Sequence, residues 1–333
     1  MGRRRAGVPT AAADLTAELA EAFDLGCPTG PMTAATMSWA GQVWALATER
    51  GRWRVTEFLD YTPDDNLETE LRLVEAAVAA GVPTTEPVRT RTGQPLAVLH
   101  GRRWRVHREP ATGTEVGVPI DPETASRIGR IVGTVHALRL PAPGPVHPWL
   151  ACRADPELLR RQLDRSRAAG APWTEAYERA LPGLLVLAES VVDDRDPAEP
   201  PILSHGSPGP GTFQRRAGGE LALIGWDHAC AIPPSWELGS VLEHWGTPEG
   251  SVDRAAVSAL LRGYRETAGT EPYLGLGMFS GTVTGWLAWV ESRVNIALGA
   301  DDPKARDIAA RELPGLLARP LTVDRLERVL AAC

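Results

Sequence analysis

The chain has 333 residues, 43% of them apolar and 23% charged, with a formal net charge of -7, which is ample for a sizeable core and two lobes or domains. Its basic residues are scattered apart from a short run at Arg102, Arg103, Arg105 and Arg108, so the broad positive face needed for a nucleic-acid partner is excluded. The four cysteines are far apart without a CxxC pair. MGRRRAGVPTAAADL has no apolar segment behind its charges, and no window approaches the roughly 18 apolar residues of a membrane span, so a cytoplasmic protein is expected.

Residues 1 to 30, rich in Ala and Gly, predict a helix with a loose start, and residues 1 to 34 are set apart as an N-terminal helical extension. Between Trp39 and Leu59, GQVWALAT and RWRVTEFL flank the turn residues Glu49, Arg50 and Gly51, which predicts a hairpin. DDNLETELRLVEAAVAAG predicts a helix with an Asp or Asn cap, apolar positions Leu67, Leu71, Val74 and Val78, and Gly81 as its stop. VPTTEPVRTRTGQPLAVLHGRRWRVHRE adds strands about a Thr-Gly turn, its arginine run reading as one solvated strand face, with the grip of an acidic peptide or phosphate as the alternative. The order strand, strand, helix, strand, strand makes residues 35 to 115 a small antiparallel sheet carrying one helix.

Residues 116 to 333 are mainly helical in character. ETASRIGRIVGTVHAL places Ile128, Val132 and Val135 at helical spacing, and a second helical stretch covers 155 to 192. ILSHGSPGPGTFQRRAGGELALIGWDHA can form two strands around AGG. From Val252 onward the pattern is again helical, with Trp286, Trp289, Val290, Val294 and Ala297 as one stripe.

ILSHGSPGPGTF followed by LALIGWDHACAIPPSWELGSV resembles the aminoglycoside phosphotransferase and choline kinase family, in which a His-Gly-Asp loop ends in Asn and a strand leads to an Ile-Asp-Trp motif. The matching residues are His205, Gly206 and Ser207, then Thr212, then Ile224, Gly225, Trp226 and Asp227, with Glu237 at an acidic position ahead of a helix. TELRLVEAAVAAG, IGRIVGTVHAL and WLAWVESRVNIALG extend the likeness over most of residues 35 to 330. The resemblance implies an α+β, two-lobed protein-kinase-like fold: a small antiparallel-sheet N-lobe with one helix and a larger, mainly helical C-lobe holding the catalytic loop.

Phosphoryl transfer needs a carboxylate to orient the acceptor hydroxyl, metal ligands and a cation on the phosphates. At the positions the resemblance assigns to these parts the chain has Ser207 for the base, and Thr212 and Gly225 for the two metal ligands. Glu70 looks like the helix carboxylate that pairs with an N-lobe lysine, yet no lysine precedes Lys304; Arg52 or Arg54 could contact the phosphates, but a guanidinium differs in shape and reach from an ammonium. These losses point to a pseudoenzyme without Mg-ATP phosphotransfer and without a cofactor. It is expected to be a binding or accessory protein in bacterial specialised metabolism or peptide modification, with a small-molecule or peptide ligand in the inter-lobe cleft or a biosynthetic partner protein. Two rivals stay open. One is an O-phosphotransferase acting on a small hydroxylated molecule with ATP and magnesium, Asp227 serving as surrogate metal ligand and Arg54 on the phosphates. The other is ATP-independent chemistry by His205, Ser207 or Asp227.

If the segment at Gly225 is a strand, Asp227 shares its face by the period of two, which is what would let it replace the missing ligand. His205 reads more readily as a brace of its loop than as a base, and His136 as a core residue. The SPGPGT loop reads as rigid, because Pro208 and Pro210 lack the N–H groups of a phosphate cradle. Trp226, Trp236 and Trp245 read as core packing, with the lining of a pocket as the alternative.

Overall fold

The structure, a computed structural model, describes residues 13–37, 41–58, 67–108, 113–151, 155–190 and 199–333. It falls into two units, Met1–Thr114 with Gln214–Ala229, and Glu115–Phe213 with Cys230–Cys333.

The first unit begins with helix α1 (Ala13–Ala22) and strands β1 (Thr33–Met37), β2 (Gly41–Thr48) and β3 (Gly51–Phe58). The expected hairpin is β2 and β3, whose register pairs Thr48 with Gly51 and leaves Glu49 and Arg50 as a two-residue loop. Helix α2 (Leu67–Ala79) follows, then β4 (Pro87–Val88), β5 (Ala97–Leu99) and β6 (Arg102–Arg108). The Asp or Asn cap expected for α2 lies outside the described residues. The antiparallel sheet runs β1-β2-β3-β6-β4, with β5 also paired to β6. Strand β1, TAATM, has no apolar alternation and was not expected from the sequence.

Strand alternation decides what each face of this sheet carries. Trp53 and Val55 of β3 and Trp104 and Val106 of β6 join Trp44 and Leu46 of β2 in one core, covered by Leu19, Ala20 and Phe23 of α1. The N-terminal helix is thus an integral layer of the first unit. On the opposite face Thr56 lies across from Arg105, and Arg54 across from His107.

A two-residue strand, β7 (Thr114–Glu115), marks the passage to the second unit. There α3 (Pro122–Ala137) starts at Asp121, whose carboxylate accepts from the Thr124 N–H and hydroxyl, with Pro122 in the first turn. After α4 (Pro148–Ala151), the single helical stretch expected from 155 to 192 is two helices, α5 (Pro156–Ala168) and α6 (Thr174–Ser190), with residues 191 and 192 outside the described ones. Gly170 at φ 59 turns the chain between them, and Pro172 has no N–H with which to continue α5. Strand β8 (Ile202–Ser204) follows. The hairpin β9 (Phe213–Arg215) and β10 (Leu221–Leu223) turns at Gly218 and Gly219, with φ 90 and 84, where AGG predicted it. Strand β11 (Cys230–Ile232) then pairs antiparallel with β8.

The remaining helices are α7 (Pro234–Gly246), α8 (Arg254–Thr267), α9 (Ser280–Gly299), α10 (Pro303–Ala318) and α11 (Val323–Leu330). Helices α3 and α8 touch backbone to backbone. A Cβ on Gly129 would lie 2.0 Å from the Leu260 carbonyl oxygen, and one on Gly263 2.0 Å from that of Ser126. The buried stripe of α9 is Val283, Leu287, Val290 and Val294, whereas Trp289 is 40% exposed and lies 4.0 Å from the Arg293 guanidinium. The expected stripe put Trp289 beside Val290, but adjacent helical positions differ by about 100°, so only one of the two can face inward. Among the described residues no helix is long and apolar enough to cross a membrane.

Candidate functional site

The residues singled out in the sequence divide between the units. In the first, Glu70 lies on the buried face of α2 and Arg105 in the middle of β6. The two terminal nitrogens of Arg105 take different partners: Nη1 donates to Glu70 Oε1 and Oε2 at 2.8 and 2.9 Å, and Nη2 donates to Asp227 Oδ1. The side chains are 12%, 8% and 21% exposed for Arg105, Glu70 and Asp227. The guanidinium also lies 5.1 Å from the centre of the Phe58 ring. A cavity of about 10 Å3 next to this cluster, lined also by Leu67, Leu71 and His107, has room for about one water.

Burial opposes ionisation of Asp227, but the Arg105 charge and hydrogen bond outweigh it and hold this carboxyl below its ordinary range. Glu70 goes the other way: burial lifts it above the ordinary value, and the neighbouring Asp227 adds to the rise, against the pull of Arg105. One guanidinium therefore serves two carboxylates. Loss of hydration, then the Arg105 charge, pushes His107 down to about 3, so its ring is neutral near pH 7.

Two sequence expectations change here. The arginine run is not one solvated face, because Arg105 within it is enclosed by two carboxylates. The segment at Gly225 is not a strand: Gly225 has φ 77 and ψ 41, and Trp226–His228 form one 3-10 turn. A left-handed residue breaks the period of two, so Asp227 does not inherit the face of Gly225. Glu70 also has a partner that the sequence did not name. Arg54, on β3, is exposed and stands across from His107, while Arg105 of the adjacent strand holds the carboxylate. Trp226 anchors the turn: it is 3% exposed and its Nε1–H donates to Thr84 Oγ1 at 2.7 Å. Replacing Thr84 by valine leaves that buried N–H unanswered, and equilibrium denaturation is expected to show a loss of about 1–3 kcal/mol.

In the second unit, Glu237 near the start of α7 is 1% exposed and gathers three donors. His136 Nε2 of α3 approaches Oε2 at 2.5 Å, Ser204 Oγ donates to the same oxygen, and the Gly206 N–H donates to Oε1. A carboxylate only accepts, so Nε2 carries the hydrogen; Nδ1 meets the Tyr264 hydroxyl of α8 at 2.9 Å. His205 is 1% exposed and its Nδ1 accepts from the Ser207 N–H at 3.3 Å. The loop beyond is held by its own groups and by Trp245 of α7. The Ser207 carbonyl accepts from the Gly209 N–H at 2.9 Å, the Thr212 hydroxyl donates to the Gly209 carbonyl at 2.7 Å, and Trp245 Nε1–H reaches the Pro208 carbonyl at 3.0 Å. Trp236 and Trp245, 8% and 0% exposed, pack in the core. His136 was read from the sequence only as a core residue; its link to Glu237 joins positions 101 apart in the chain and has no local signal.

Comparison with known proteins gives these sites their context. The pattern of the phosphotransferase enzyme family matches residues 32–273. No curated protein matches the sequence. Among solved structures, a spectinomycin phosphotransferase in complex with ADP and spectinomycin superposes with a TM-score of 0.66 at 12% identity, over 90% of this chain and 92% of that one. An amicoumacin kinase in complex with AMP-PNP, Ca2+ and Ami gives 0.63 at 13%, over 94% and 95%. A choline kinase from Streptococcus pneumoniae gives 0.57 at 14%, over 92% and 98%. With an N-terminal antiparallel sheet and a larger helical C-terminal part, the chain has the α+β two-lobed kinase-like fold and belongs to the phosphotransferase enzyme family of aminoglycoside phosphotransferases and choline kinases.

Proposed function

We propose that the protein is a binding or accessory member of this family that does not transfer phosphate from Mg-ATP, and that its ligand is a small molecule or peptide or a biosynthetic partner protein. The observation that carries the reading is the double engagement of Arg105, which leaves neither Glu70 nor Asp227 as an open carboxylate. Magnesium, which the family implies, does not fit the residues present. Gly225 has no side-chain oxygen, the Asp227 carboxylate is held by Arg105, and the Thr212 hydroxyl donates to its own loop. Mg2+ demands near-octahedral oxygen ligands with charge among them. Ser207, at the position of the base, is far too weak a base at neutral pH without a partner. Losing one preorganised electrostatic donor typically costs about 2.7–4 kcal/mol of transition-state stabilisation, and here base, metal ligands and lysine are all altered.

The spectinomycin phosphotransferase is in complex with ADP and spectinomycin, and the amicoumacin kinase with AMP-PNP, Ca2+ and Ami; the proposal keeps the class of small polar ligand and drops the nucleotide. Thermal denaturation with ATP, ADP and GTP, each with and without Mg2+, tests it. A ligand at 100 times its Kd stabilises a fold by about 2.7 kcal/mol, so the expected result is an unchanged midpoint in all six conditions. A magnesium-dependent rise accompanied by ATP turnover sinks the proposal.

A further inference from the structure

Two carboxylates that face each other out of water need a cation between them, since like charges at such a site disfavour ionisation of both. In an oxygen-ligand metal site a divalent ion meets that need. Here the chain supplies its own: we infer that the Arg105 guanidinium is a built-in counter-ion standing where Glu70 and Asp227 would otherwise hold a divalent cation, and that this residue makes the fold independent of metal. The inference rests on the proposed function, and it concerns what keeps the cation out.

The choice of side chain matters. A guanidinium is planar and has several donors in a fixed fork, whereas an ammonium is a compact point charge that keeps the charge without the fork. The fork lets Arg105 bond both oxygens of Glu70 through Nη1 while Nη2 reaches Asp227. The backbone positions agree: Arg105 stands directly across from Thr56 in the β3–β6 register, so its cation projects from the strand next to the hairpin.

The elements that carry the two carboxylates are also tied down by contacts that do not involve Arg105. Helix α2 is tied to Arg89, which bonds Glu68 at 3.0 Å and Glu75 at 2.6 Å on either side of Glu70. The turn carrying Asp227 is tied by Trp226 to Thr84, and β10 by the Leu223 N–H to the Pro83 carbonyl at 2.9 Å. Removing the Arg105 charge therefore leaves two carboxylates on elements that stay in place, with the volume of the lost guanidinium added to the small cavity next to this cluster. Calcium accepts six to eight oxygens at about 2.3–2.6 Å in flexible geometry, so two carboxylates with waters suit it, as they suit Mn2+.

The test uses the full chain, its Arg105→Gln and Arg105→Ala variants and an Arg105→Lys control, titrated with Mn2+, Ca2+ and Mg2+ at pH 7.5 by thermal denaturation and calorimetry. The wild type and Arg105→Lys are expected to ignore millimolar cation. The two neutral variants are expected to gain a midpoint rise of about 3 °C or more and a calorimetric isotherm, both lost when Glu70→Gln is added. If a neutral variant is unfolded without metal, recovery of its circular dichroism on adding Mn2+ is the readout. Folded neutral variants blind to all three ions, unfolded ones that no ion recovers, or a cation response already present in the wild type, overturn the inference. The outcome is separable from the proposed function, which fails on wild-type nucleotide binding and turnover alone.

Discussion

Substitution of Glu237 by alanine is expected to lower stability by about 3–5 kcal/mol, the scale of removing a buried carboxylate and leaving its hydrogen-bond donors unpaired. Three donors from three segments converge on this carboxylate: His136 of α3, Ser204 of β8 and the Gly206 N–H. Alanine orphans all of them out of water. The same site predicts a pH dependence. Burial alone would raise the Glu237 pKa, but the hydrogen bond and charge of His136, helped by Ser204, hold it below the ordinary value of 4.5. A folded-state value below the unfolded one means that the stabilisation is complete above about pH 4.5 and fades as pH falls through the folded value. Urea midpoints measured from pH 6 to pH 3 are therefore expected to fall more steeply for the wild type than for Glu237→Gln, which has no proton to gain. Parallel curves would show that folding leaves the pKa of this carboxyl unchanged.

Placing alanine at Gly129 is expected to cost at least about 3 kcal/mol, at or beyond the top of the range for overpacking a core. The new methyl would meet the Leu260 carbonyl oxygen at 2.0 Å and the Tyr264 nitrogen at 2.8 Å, and neither can yield as a side-chain tip does. The two helices must separate. Gly263→Ala makes the reciprocal clash with the Ser126 carbonyl oxygen. The double variant is expected to lose clearly less than the sum of the two single losses, because separation forced by the first methyl makes room for the second. Strict additivity in denaturant titrations would mean that the two clashes are relieved independently.

The elements legible in the sequence are those whose signal is local. The β2–β3 hairpin shows as two β-branched and aromatic runs about Glu49, Arg50 and Gly51, α2 as apolar spacing that ends at Gly81, and the β9–β10 turn as AGG. Less was legible where the deciding contact is distant or where one residue's backbone angle decides. Arg105 sits in a run that reads as solvated, and the carboxylates that enclose it lie 35 and 122 residues away. Gly225 inside LALIGWDHA extends a strand pattern unless its left-handed φ is known. In α9 the tryptophans outweigh their neighbours on hydrophobicity, yet an indole can lie along a surface over an arginine, as Trp289 does on Arg293, while the smaller Val290 faces the core. The candidate loop was found through its likeness to a family motif, but that Glu237 joins it to α3 through His136 rests on a pairing 101 residues apart.

The first unit closes late in the chain: it comprises residues up to Thr114 and then Gln214–Ala229. During synthesis Arg105 emerges with Glu70 already made, but Asp227 follows only after a further 122 residues. At about 5–20 residues per second, that is a wait of roughly 6 to 24 seconds. Through that interval the chain holds Arg105 and Glu70 without Asp227, so the first unit cannot be finished before the ribosome has made its last segment.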